Sequence, residues 1–292
     1  MSPPALPPDV ERIIFEVSAR SRPRHIPQLI LVARRVKQWI EPLLYHTLIV
    51  ESERTSLSMG SHARTLGLPI CNIEIFLTIA RDAGGRSSML QHVRNIYLKT
   101  EDPEHVALIL RVCKGITNLF AAKPLSEPAA GAAAELPLQH LYALHGAIQG
   151  APPHAVWSHL THLYLYGGFG PSPDSDPDSA VAFAVAERII SLPKLTHLAV
   201  SPRSVISAVI PPCERILAQC NDLRVLAVVG GVRTSGTGTP VQDPRFAILP
   251  QHEFTRDWME GVVRGVDFWT FAERRVARQI AVVAAKQAQS AA

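Results

Sequence analysis

The sequence predicts an α/β chain in which short parallel strands alternate with returning helices or loops and stack into one extended arc, and three observations predict it. The first is a repeated pattern. Residues 160–167, LTHLYLYG, place Leu160, Leu163 and Leu165 in an LxxLxL arrangement, which is the signature of a leucine-rich repeat strand. The same arrangement recurs at Val93-Ile96-Leu98, Ile116-Leu119-Ala121, Leu138-Leu141-Ala143, Leu195-Leu198-Val200 and Leu223-Leu226-Val228. The second is spacing. The middle position falls at 96, 119, 141, 163, 198 and 226, giving steps of 23, 22, 22, 35 and 28 residues. The first three sit inside the usual window for this repeat, and the last two imply insertions. The third is the character of the intervening segments, which read as returns. One such strand cannot bury its apolar side alone, so the units must stack.

The chain begins with helices. Pro8 and Asp9 introduce one whose apolar positions are Val10, Ile13, Ile14 and Val17, the i, i+3, i+4, i+7 set. After a proline-rich break at 22–27, a second helix carries Leu29, Val32, Val36, Trp39 and Ile40 at helical period. Pro42 marks a boundary, and residues 44–50, LYHTLIV, have the β-branched character of a strand. Residues 51–88 join this region to the first clear repeat. Within them CNIEIFLTIARDAG predicts a helix with Ile73, Phe76, Leu77, Ile79 and Ala80 inward, closing at Gly84-Gly85.

The returns then follow in turn. DPEHVALILRVC predicts a helix capped by Asp102 with Pro103 at its first position. SEPAAGAAAELP and HGAIQGAPPHAVWSH predict short or irregular returns, DPDSAVAFAVAERIISLP a clearer helix after an inserted loop, and SPRSVISAVIPPCERILAQC the sixth return. Beyond the last strand, GGVRTSGTGTPVQDP reads as a loop, RFAIL as a final edge strand, and the rest as largely helical from Asp267, with Phe268, Ala272, Val276, Ile280 and Val283 on one side. Three parts result: residues 1–47 as a helical head, 48–250 as the repeat arc and 251–292 as a helical cap and tail.

The head carries a resemblance. LPPDVERIIFEV, followed by LILVARRVKQWIEPLLYHTL, resembles the F-box motif of a large family of fungal F-box-like proteins with leucine-rich repeats, and the DPRF and DFWxxAE elements resemble that family's C-terminal end. In the family the N-terminal helices dock on the Skp1 subunit of a cullin-based ubiquitin ligase, and the repeats recruit the protein to be ubiquitinated. The resemblance therefore implies an irregular leucine-rich repeat solenoid with an F-box-like head, no catalysis of its own, and two partners, a Skp1-like adaptor protein and an unknown target protein. Position by position, the implied Skp1-facing residues are Leu6, Pro7, Val10, Ile13, Ile14, Phe15, Leu29, Val32 and Val36. The alternative is a stand-alone interaction scaffold whose head only closes the open end of the arc.

Composition narrows the function classes. An apolar content of 47% is ample for a core, and the net charge of +4 is spread along the chain rather than gathered on one face, which argues against nucleic acid as partner. Cys71, Cys113, Cys213 and Cys220 have no CxxC spacing and read as reduced thiols. No run approaches the roughly 18 apolar residues of a membrane span, and the opening residues lack the pattern of a signal peptide. The expectation is a cytoplasmic or nuclear protein.

Candidate binding residues follow from strand alternation. In each unit the residue between the last two apolar positions points away from the returning helices, giving a row of Tyr97, Phe120, Tyr142, Tyr164, Ala199 and Ala227. The four rings suggest either a target-binding patch on the concave face or simple side-by-side stacking. Two residues earlier the row reads Asn95, Asn118, His140, His162, His197 and Val225. A parallel row of imidazoles fans out rather than converging on a metal, so His140, His162 and His197 are read as an exposed, pH-sensitive hydrogen-bonding row that belongs to the same target-binding concave face. No cofactor is implied. Asp174, Asp176 and Asp178 begin like a calcium loop but lack its glycine and closing glutamate. Gly231 and Gly236 have P-loop spacing, but Thr237 stands where a lysine is required.

Overall fold

A computed structural model describes residues 6–52, 57–82, 86–100, 102–144, 157–169, 180–202, 209–230 and 241–291. The acidic loop with Asp174, Asp176 and Asp178, the glycine-rich run from 231, the return at 145–156 and the Gly84-Gly85 pair lie outside them. The head consists of α1 (Pro8–Ser21), a 3-10 turn at Pro23–His25, α2 (Ile26–Leu29) and α3 (Arg34–Leu44). Strand β1 (Thr47–Glu51) follows, then α4 (Leu57–Leu66), β2 (Ile70–Asn72), α5 (Ile73–Arg81) and a 3-10 segment at Arg86–His92. The repeating section runs β3 (Asn95–Lys99), α6 (Pro103–Val112), β4 (Asn118–Ala121), α7 (Glu127–Ala134), β5 (His140–Leu144), β6 (His162–Phe169), α8 (Ala180–Ile190), β7 (His197–Pro202), α9 (Ile210–Gln219) and β8 (Val225–Val229). Strand β9 (Phe246–Leu249) and helices α10 (Phe254–Arg264) and α11 (Phe268–Ala291) complete the chain.

Among the described residues, the nine strands form one parallel sheet in the order β2-β1-β3-β4-β5-β6-β7-β8-β9. From β1 onward the chain advances one strand at a time, except that β2 steps back to the opposite edge. The backbone repeats a single joint. From β1 to β7, β2 aside, one carbonyl just ahead of the strand accepts from two consecutive amides of the next unit: His46 from Arg94 and Asn95, Arg94 from Thr117 and Asn118, Thr117 from Gln139 and His140, Gln139 from Thr161 and His162, Thr161 from Thr196 and His197, and Thr196 from Arg224 and Val225. This joint fixes the register, because a slip of one residue would turn every apolar side chain to the wrong face.

Both faces of the sheet are covered. On one face Ile96, Leu98, Leu119, Leu141, Leu163, Leu165, Leu198 and Leu226 pack against the inward sides of α5 to α9 in the larger core. Helix α6 shows why this works. Asp102 accepts from the Glu104 amide at 2.9 Å, Pro103 takes the first turn, and Val106, Ala107, Ile109 and Leu110 are buried. On the other face lie α4, α10 and α11, which enclose a second core around Tyr97, Phe120, Tyr142 and Tyr164 with Trp258, Met259, Phe268, Trp269, Ala272 and Val276. The segment expected to cap the end of the arc thus lies across the open face of the sheet. The physical reason is general: parallel strands carry large apolar groups on both sides, and a stable sheet needs a layer on each. The head has a separate small core of Ala19, Ile26, Val36 and Ile40.

Candidate functional site

The apolar stripe of α1 faces solvent. Val10, Ile13, Ile14 and Val17 are all exposed, Ile13 at 59%, and the helix turns Ala19 and part of Phe15 toward the head core instead. Leu6 precedes the stripe and is exposed, as is Pro7, which occupies the cap position of α1. The turn between α2 and α3 adds Leu31 at 82% and Val32 at 62%. Arg35, at the start of α3, donates to the Glu11 carboxylate through Nε at 3.0 Å and Nη2 at 2.8 Å. That forked pair holds the start of α3 beside the first turn of α1. An outward row of large aliphatic side chains on a small helical head is the type of surface that marks a protein-interaction site.

Six of the nine residues that the resemblance assigned to Skp1, namely Leu6, Pro7, Val10, Ile13, Ile14 and Val32, are on this surface. Phe15 and Leu29 are half-buried against the head core. Val36 is different: it is fully buried between Ala19, Ile26 and Ile40, so it holds the head together and cannot touch a partner. Leu31 and Val17 belong to the exposed patch although neither was assigned to it. Val17 was already in the periodic stripe, whereas Leu31 carried no pattern beyond its place in an apolar run.

The two rows on the sheet are in the predicted register. Tyr97 pairs with Phe120, Phe120 with Tyr142, Tyr142 with Tyr164, Tyr164 with Ala199 and Ala199 with Ala227. Ring centroids from Tyr97 to Tyr164 are 4.9, 5.6 and 6.0 Å apart, within the range of favourable aromatic contact. The rings are not exposed. Tyr164 has no accessible surface and the other three are at 3% or less, because α10 and α11 sit on them. Trp258 donates from Nε1 to Asn118 Oδ1 at 2.9 Å, Trp269 donates from Nε1 to the Tyr142 hydroxyl at 3.0 Å, and Phe268 packs on Tyr164 with centroids 5.0 Å apart. The expectation of an open aromatic patch is therefore corrected: the rings are core, stacked side by side beneath α10 and α11.

The histidine row is corrected in the same way. His140, His162 and His197 stack face to face with centroids 4.1 Å apart at each step and planes within 6°. Trp269 packs edge-on against His162 and His197. Burial, reinforced by the neighbouring imidazoles, lowers His140 to about 4 and His162 to about 2. Burial also lowers His197, against the pull of Glu273, whose carboxylate lies 3.1 Å from Nε2. The rings are neutral at neutral pH. Because the folded values lie below the ordinary 6.5, the row's contribution is complete above that pH and is lost as the pH falls toward 4, where the unfolded chain takes up protons that the folded chain refuses. Among the described residues, no group of three or more His, Cys, Asp or Glu side chains is placed to hold a metal ion.

The joint between α10 and α11 carries the opposite titration. Gly265 ends α10 in the left-handed conformation at φ 69°, and Gly261 admits the chain so closely that a Cβ there would lie 2.8 Å from that of Asp267. Asp257 accepts from the Phe268 amide at 3.2 Å and Asp267 from the Thr270 amide at 3.3 Å, so two carboxylates serve the start of one helix. Burial raises Asp257 to about 7, helped by Asp267 and Glu260 and opposed by the Phe268 amide. A raised carboxylate stabilises the fold while protonated and loses that contribution as the pH rises from the ordinary 3.8 through 7. Asp257→Asn keeps an acceptor for the Phe268 amide and removes the charge. It is expected to melt above the parent at pH 8, with the difference shrinking as the pH falls from about 7 toward the ordinary 3.8; thermal denaturation between pH 8 and pH 4 checks the sign.

No helix among the described residues is long and apolar enough to cross a membrane. No family model matches the chain, and a search of curated proteins finds no match.

Proposed function

We propose that this chain is a non-catalytic adaptor of an Skp1-cullin-F-box type ubiquitin ligase, an F-box-like head on an irregular leucine-rich repeat arc. The head docks a Skp1-like protein, and the body presents a target protein to the ligase. The observation that carries the reading is the outward apolar stripe of α1 together with Leu31 and Val32. Those side chains fall largely on the positions where the F-box resemblance places Skp1 contacts. Support for the repeat reading comes from the parallel strands in sequence order and the backbone joint shared by successive units at steps of 23, 22 and 22 residues.

The rival reading, a stand-alone scaffold whose head is only a lid, draws on the packing of the head against the body. Ala19, Ile26 and Leu44 line a crevice opposite Leu68, Pro69 and Val262. A lid, however, turns its apolar side inward, and here the larger aliphatic side chains of α1 point outward. Co-expression with a fungal Skp1 followed by size-exclusion chromatography separates the two. Co-elution at one-to-one supports the adaptor; separate peaks, with this chain soluble and folded, support the scaffold.

A further inference from the structure

Helix α11 outruns the sheet. Phe268, Trp269, Ala272 and Val276 are buried against it, but Phe271, Ile280, Val282 and Val283 are exposed. Between this helix and the segment from Val241 to Pro244 lies an open groove of roughly 700 Å³. On the helix side Phe271, Arg275, Arg278 and Val282 recur at i, i+4, i+7 and i+11, which is one stripe along the helix, and Arg274 and Val283 flank it. From Arg274 to the last residue the sequence has four cationic side chains and no Asp or Glu.

The arginines are available for an anion. Among the described residues no carboxylate pairs with Arg274, Arg275 or Arg278. The acid that does line the groove, Asp243, is held by Arg245, through Nε to Oδ1 at 3.0 Å and Nη2 to Oδ2 at 2.7 Å. An ordinary solvated helix face mixes both signs of charge. This one sets three guanidinium groups between an exposed phenylalanine and exposed valines, so its charge and its apolar ends together define a complementary ligand.

We propose that this groove binds an acidic peptide segment of a partner protein, with aspartate or glutamate side chains on the three arginines and a large apolar side chain seated on Phe271. Under the adaptor reading, on which its biological role rests, it is the surface that recruits the target, the aromatic row being covered. Peptide capture by itself is measurable without any Skp1, so failure here and failure of head docking are separate results.

The test uses the full chain and a displayed library of random peptides about twelve residues long, followed by fluorescence anisotropy on an enriched sequence. The expected result is enrichment of sequences that place Asp or Glu clusters beside Phe or Leu. Affinity should fall at least tenfold in the triple variant Arg274→Glu, Arg275→Glu, Arg278→Glu, and similarly in Phe271→Ser. The milder triple replacement by Gln, expected to give an intermediate loss, keeps the test valid if charge reversal disturbs the helix. The proposal is overturned if nothing is enriched, if the enriched peptides carry no acidic excess, or if they bind the Gln triple variant as tightly as the parent. It is equally overturned if the groove proves to be filled by a second copy, seen as a dimer that Phe271→Ser dissociates, or if anionic phosphatidylserine vesicles bind there in place of any peptide.

Discussion

Replacing Trp269 with alanine is expected to lower stability by about 3–5 kcal/mol, the usual cost of deleting a large buried aromatic side chain, and the melting temperature by roughly 6–20 °C for a chain of this size. Trp269 is buried, donates to the Tyr142 hydroxyl, and packs against Phe268, His162 and His197. Its removal leaves a cavity and a buried hydroxyl without its donor, which adds a penalty of its own. The loss should begin in one layer. Helices α10 and α11 cover the second face of the sheet while α5 to α9 cover the first, so limited proteolysis of the variant should cut within 254–276 before it cuts the repeating section. A variant that melts with the parent would mean that these helices do not seal the sheet.

The second large effect concerns binding rather than folding. The triple variant Ile13→Asp, Ile14→Asp, Val32→Asp is expected to abolish association with a Skp1-like adaptor, by more than 100-fold. Burying each aliphatic side chain in an interface contributes on the order of 1.5–3 kcal/mol, and each introduced carboxylate would have to be desolvated there unpaired. In the free protein the same three positions are solvent-exposed, where substitutions usually change stability by about 0.5 kcal/mol or less. The variant should therefore melt within a few degrees of the parent. Val36→Asp is the contrasting control: its side chain belongs to the buried core of the head, and its loss of binding would come with loss of the head fold.

The repeating section was legible because its pattern is dictated by burial. In each LxxLxL unit the apolar positions pack on the returning helices, and alternation then assigns Tyr97, Phe120, Tyr142 and Tyr164 to one row and the histidines to another, which is the register of the sheet. Alternation says which way a side chain points and nothing about what lies in front of it. The layer over the aromatic row was missed for that reason. A signal for it was present in Trp258 and Trp269, two indoles at the starts of C-terminal helices, each with an N–H that needs an acceptor once buried. The parallel sheet itself also requires cover on both faces.

The head shows the converse limit. Helical period identified Val10, Ile13, Ile14 and Val17 as one stripe, and a stripe is normally read as the buried side. Here the inward side is made of Ala19 and Phe15, and it is secured by the Glu11–Arg35 pair between residues 24 apart in sequence. No local pattern encodes that contact. Helix α4 and the edge strand β2 were likewise absent from the sequence reading, because residues 57–72 carry short apolar runs with neither a clear period nor caps, and their placement depends on α10 and β1.

The decisive experiment is hydrogen exchange of the full chain with and without a Skp1-like adaptor. The adaptor is expected to slow exchange across residues 8–36, with no change across 254–276. Protection confined to α10 and α11, or no protection anywhere at saturating adaptor, would contradict docking through the head.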